Sequence, residues 1–147
     1  MRAIRSKLPL LYQPDEQFEV GGVKSHGSGS AVTLAAAGYM VHEALKARDE
    51  LAKRDIEARV VDCYSFPMHP AALDQMDTPV VVTLEDNYGN GLYDEISSLF
   101  ARQTVARPLI RGMYVEKLPK SAISSEEALE YVGLGVENIV ECVAHLV

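Results

Sequence analysis

Residues Val80 to Asp86, VVVTLED, constrain the fold more than any other stretch of the chain. Four successive β-branched residues, with Pro79 before them and a polar turn after, predict a strand. A strand that is apolar at consecutive positions has no solvent face, so both its sides must be covered. Val32 to Ala36, VTLAA, has the same character, and Ile56 to Tyr64 (IEARVVDCY) and Leu109 to Val115 (LIRGMYV) read as two further strands. Between them the period changes. After Gly38, apolar residues recur at Val41, Ala44, Leu45, Leu51 and Ala52, and a second stripe in GLYDEISSLFARQTV carries Leu92, Ile96, Leu99 and Phe100.

Pro67 and Pro70 mark a loop, with Pro70 placed to open a short helix through Gln75. Ser124 and Glu127 form a capping box, Gly133 and Gly135 supply the stop, and a last helix aligns Val136, Ile139, Val140, Val143 and Val147. Strands that alternate with helices predict an α/β fold of three layers. The expected sheet is mainly parallel and five-stranded, with room for one antiparallel strand and helices on both faces. Residues 1–30 read as an entry arm and residues 31–147 as the domain proper.

The 147 residues suffice for one domain with a real core. A hydrophobic share of 48% with 24% charged residues is ordinary globular composition. A net charge of −7 argues against a nucleic-acid surface, and the longest basic cluster, KARDELAKR from Lys46 to Arg54, is interleaved with acids. No apolar run approaches the roughly 20 residues of a membrane span. The start, MRAIRSKLPLLYQPDEQ, lacks the apolar stretch of a signal peptide. Cys63 and Cys142 have neither metal-ligand nor redox spacing, and two buried thiols in a reducing cytoplasm are expected.

Two places invite a chemical reading. Gly38 joins a strand to a helix, as phosphate cradles do. Such cradles need several glycines at that joint, however, and Gly27 and Gly29 fall before the strand while Tyr39 and Met40 follow the turn. A turn, with at most a weak anion site at the helix start, is the expectation. The second place is LEDNYGNGLYDE, where Glu85 and Asp86 end a parallel strand. Paired carboxylates can serve as acid and base or bind a cation; without a nucleophile or histidine beside them, capping of the next helix is favoured. His26, His42, His69 and His145 lack metal-ligand spacing and are expected at surface or loop positions, and no Gly-x-Ser-x-Gly elbow occurs. Gly38, Glu85, Asp86, Asn87 and Tyr88 are the candidate anion or interface residues.

Five segments, in order, resemble the C-terminal domain of transketolases, in particular the shorter animal-type enzymes. DEQFEVGGVK (Asp15 to Lys24) is similar to the exit from the family's middle domain, and VTLAAAGYMVHEALKARDEL to its strand, glycine turn and helix. IEARVVDCYSFPMHP resembles the next strand and its proline crossover, and VTLEDNYGNGLYDEISS the acidic strand end and glycine loop. KLPKSAISSEEALEYVGLGVENIVECV resembles the closing Pro-basic-Ser segment and paired helices. Related domains of 2-oxoacid dehydrogenase E1 beta subunits and deoxyxylulose phosphate synthases share the fold, but LPKSA and DEQFEVGGVK favour transketolase.

There are departures. Asn87 stands where the family usually has histidine, the loop is about one residue shorter, Tyr93 replaces a frequent glycine, and Asp55 takes a helix exit where glycine is common. Aspartate tolerates the left-handed conformation better than most residues.

The resemblance implies an enzyme that moves a two-carbon ketol unit between sugar phosphates. Thiamine diphosphate and a divalent metal, magnesium or calcium, would be held by its first two domains. The family's Gly-Asp-Gly diphosphate motif has no counterpart here. The resemblance therefore implies no catalytic, cofactor or metal residue in this chain, no activity of the chain alone, and an assembly role. Its implied partners are the N-terminal and middle domains, in a cytoplasmic homo-oligomer. The alternative is a small-anion-binding or regulatory module.

Overall fold

A computed structural model describes residues 8–89, 91–103, 107–118 and 120–147. Five strands form one sheet: β1 (Lys24–His26), β2 (Val32–Ala36), β3 (Ala58–Asp62), β4 (Val80–Tyr88) and β5 (Leu109–Val115). Their order is β1-β3-β2-β4-β5, parallel throughout except that β1 runs antiparallel to β3. The helices are α1 (Met40–Ala52), α2 (Leu92–Ala101), α3 (Ser125–Val132) and α4 (Val136–Ala144), with a short 3₁₀ helix at Pro70–Gln75. The expected three-layer α/β architecture is therefore the observed one. The fifth strand, which sequence periodicity left unplaced, is the polar tripeptide Lys24–His26 from within the first 30 residues.

Alternation along the strands builds two cores, because successive side chains leave opposite faces of a sheet. Leu34, Val60, Val80 and Val82 join Val41, Ala44 and Leu51 of α1 and Ile139, Val140 and Val143 of α4 on one side. Ala35, Val61 and Val81 join Leu92, Ile96, Leu99 and Phe100 of α2, with Ala72 and Leu73 of the 3₁₀ helix, on the other. All five residues of β2 are buried, as a strand covered on both faces requires. Ala52 ends the α1 stripe exposed, because the helix runs out at that residue. Val147, beyond the end of α4, is likewise 52% exposed. The helix expected through Val105 ends at Ala101; Thr104 to Ala106 lie outside the described residues.

The helix ends follow their local chemistry. Asp55 takes φ 59° at the exit from α1 and Gly133 takes φ 80° at the end of α3. The Ser124 hydroxyl accepts from the Glu127 amide at 3.1 Å, while the Glu127 carboxylate accepts from Ile123 N–H at 2.9 Å, one residue before the cap itself. Cys63 is fully buried, but Cys142 is only partly so, beside the Arg111 side chain of β5; both are free. Burial pushes the Cys63 thiol far above its ordinary value, so it stays protonated.

Candidate functional site at the strand ends

From β2 the chain passes to β3 on one side and then returns to β4 on the other. The direction of winding therefore reverses between β2 and β4, and at such a switch the loops after the two strands diverge and leave a crevice. The two strand ends are joined there by Ala37 N–H to the Leu84 carbonyl at 3.3 Å. Gly38 follows β2, and Glu85, Asp86, Asn87 and Tyr88 end β4, so the fold gathers all five candidate residues at this one place.

Their individual situations differ. Gly38 takes φ +60°, and nothing lies within 4 Å of where a Cβ would stand. Its role is thus backbone geometry. Gly38→Val should destabilise by roughly 1–2 kcal/mol, the left-handed penalty for a residue with a Cβ; an unchanged melting temperature would show that the turn relaxes freely. The Glu85 carboxylate accepts from Leu92 N–H at 2.9 Å and backs onto Gly91, where any Cβ would collide with it. It caps α2, supplying an oxygen to the amides a helix start leaves open. Asp86 is exposed and borders a groove of about 250 Å³ with Tyr39, Val115, Ala128, Leu129 and Val132. Asn87 is half-buried and Tyr88 is 52% exposed, in the stretch where β4 shifts register against β5 between Leu84 and Tyr88. Tyr93, the other departure from the family pattern, packs against Gly112, whose missing side chain admits its ring, and lies 6.3 Å centroid to centroid from Tyr114.

One carboxylate is spent on a helix cap, and the other looks onto a groove walled mainly by apolar side chains. Among the described residues, no three of His, Cys, Asp and Glu are placed to hold a metal ion.

A second polar cluster, which sequence reading missed, lies at the end of β3. Asp62 is only 7% exposed and accepts a hydrogen bond from the Tyr12 hydroxyl at 2.6 Å. The same hydroxyl lies 3.0 Å from His26 Nε2. A tyrosine hydroxyl has one proton, and here Asp62 takes it, so His26 must offer an Nε2–H to the Tyr12 oxygen. Burial raises the Asp62 carboxyl above its ordinary value; the Tyr12 hydrogen bond and nearby His26, His42 and Lys24 act in the opposite direction. Tyr12, raised by burial and by the Asp62 contact, remains a donor at every ordinary pH. The one available signal was a charge closing the apolar run VVD, with nothing to say that its partner lay 50 residues earlier. The histidines do not share one kind of place: His26 is half-buried in β1, His42 is half-buried in α1, and His69 caps the 3₁₀ helix by accepting from Ala71 N–H at 3.3 Å.

The family model for the C-terminal domain of transketolase matches residues 21–139, most of the chain. The chain belongs to the transketolase C-terminal domain family. It is 31% identical to transketolase-like protein 1 of Macaca fascicularis over 97% of its own length and 25% of that protein's. It is 29% identical to mouse transketolase over its whole length and 24% of the mouse protein's. It thus spans about a quarter of these curated relatives. A solved split-gene transketolase, described as an inactive β4 tetramer, superposes with a TM-score of 0.82 at 28% identity, over 96% of this chain and 46% of that one. In this transketolase domain, Asn87 and the Glu85 cap therefore belong to a loop on a fold of known kind.

Proposed function

We propose that the chain works as the assembly domain of a transketolase and supplies no catalytic group of its own. The family match over residues 21–139, in a chain that spans about a quarter of transketolase-like protein 1 and of mouse transketolase, carries this reading. In the complete enzyme, thiamine diphosphate and a divalent metal would sit in the N-terminal and middle domains, which transfer the two-carbon ketol unit between sugar phosphates. The complete enzyme would be a cytoplasmic homo-oligomer. Bare apolar side chains support a role in assembly: Leu10, Val20, Leu118 and Ile123 are 92%, 93%, 82% and 100% exposed. Apolar surface yields about 25 cal/mol per Å² on burial, so several hundred Å² left open favours association.

The competing reading, an anion-binding module, draws on the crevice between β2 and β4. Its described walls carry the Tyr39 and Ser125 hydroxyls but no cationic side chain, and the Asp86 carboxylate opposes an anion there, so assembly is the better fit. Calorimetric titration separates the two. The chain alone should show no one-site binding of thiamine diphosphate with magnesium, or of inorganic phosphate, tighter than about millimolar, near −4 kcal/mol. Adding the remaining transketolase section should yield ketol transfer between a ketose phosphate and an aldose phosphate. Binding of the cofactor by the isolated chain, or a mixture that stays inactive and unassociated, would end the assembly reading.

A further inference from the structure

The segment before the sheet is held at several separate points. Leu8 and Leu11 pack against the core that lies under α1 and α4. Tyr12 closes the chain from His26 Nε2–H to the tyrosine hydroxyl and on to the Asp62 carboxylate. Phe18 makes T-shaped ring contacts with both Tyr12 and Tyr64, with centroids 4.9 Å apart in each case. The Lys24 ammonium, paired with Glu16, stands 4.3 Å from the centre of the Phe18 ring and 5.0 Å from that of Tyr12. Further along, Gly21 N–H donates to the Ser65 hydroxyl and the Gly21 carbonyl accepts from His69 N–H, both at 2.8 Å. The contacts reach β1, the end of β3 and the loop beyond it.

We infer that residues 8–22 form a fastened strap, pinned by Tyr12 on Asp62, that fixes the direction in which this domain meets the section preceding it in transketolases. The pin is strong for physical reasons. A nearly buried carboxylate without its donor would carry a desolvation penalty, so unfastening Tyr12 costs more than one ordinary hydrogen bond. Three rings and an ammonium then hold the turn after it through contacts that need no particular sequence periodicity. A section hung on such a strap keeps one orientation; hung on a free linker it would sample many, and docking would bear the ordering entropy. That consequence rests on the assembly reading, but the fastening itself does not.

Hydrogen exchange on the chain tests the strap directly. The amides of Gln13, Glu16, Gly21 and Gly22 donate to Glu16, Gln13, Ser65 and Glu19 and serve as reporters. Tyr12→Phe and Phe18→Ala should each speed their exchange at least tenfold, about 1.4 kcal/mol in local opening, while β2 and β4 amides keep wild-type protection. Wild-type reporters that exchange as fast as a free peptide, or variants that leave them unchanged, overturn the strap. A variant that loses protection in β2 and β4 as well would show a general structural role and also overturns it. Titration with the separately produced preceding section of the enzyme then tests the consequence. Tyr12→Phe should weaken binding at least tenfold. Equal affinity for wild type and Tyr12→Phe would refute the orienting role while sparing the assembly reading, whereas no binding by wild type would refute both.

Discussion

Leu34→Ala is expected to lower the free energy of unfolding by about 2–5 kcal/mol, the range for truncating a large buried aliphatic side chain. Leu34 is fully buried in the middle strand, opposite Val60 on one side and Val82 on the other. The side chains around it come from a sheet clamped by α1 and α4, so the walls have little freedom to collapse into the space. Urea unfolding should show a lower midpoint with an unchanged slope, since the surface exposed on unfolding barely changes. A loss below about 1 kcal/mol would mean that this side of the sheet is loosely packed.

Gly29→Ala comes next, at roughly 1–3 kcal/mol, and its mechanism is different. An added Cβ would stand 2.5 Å from the Ala58 carbonyl oxygen and 2.6 Å from the Glu57 carbonyl carbon. These are backbone atoms at the entrance to β3, so no side-chain rotation relieves the clash, and overpacking of this kind typically costs that much. The neighbouring backbone has little slack. The Glu57 carbonyl accepts from Ala31 N–H at 3.0 Å, and the Gly29 carbonyl accepts from the Arg59 side chain at 2.9 Å. Gly38→Val, by contrast, meets open space and is opposed only by its φ. A crystal structure or backbone chemical shifts of Gly29→Ala should place the displacement at residues 29–31 and 57–58. Wild-type stability with no shift there would contradict the close approach.

The two glycines show how far a sequence can be read. Gly38 was legible because it lies at a joint between two periodic patterns, where a reversal must occur and a positive φ is a common solution. Gly29 was visible only as a residue on the wrong side of a strand to bind phosphate. Its need to be glycine comes from Ala58, 29 positions away, brought up against it by pairing of β2 with β3. Glu85 falls between these cases. Helix capping was one of the uses its position suggested, and the cap on Leu92 is the observed one.

Hydrophobic period determined the four longer strands, α1, α2, α4 and the layering, because alternation and helical spacing are properties of neighbouring residues. Local capping chemistry likewise marked the ends of α3, while the family resemblance, carried by the order of the segments, marked the helix exit at Asp55. The tertiary structure decided what lies far apart along the chain. Lys24–His26 has no strand pattern of its own and becomes a strand only by pairing with β3. Tyr12 meets Asp62 because β1 brings the entry segment across the strand ends, and no short-range rule encodes a contact over 50 residues. The crevice between β2 and β4 arises from strand order, which depends on which closures the whole chain can complete at once.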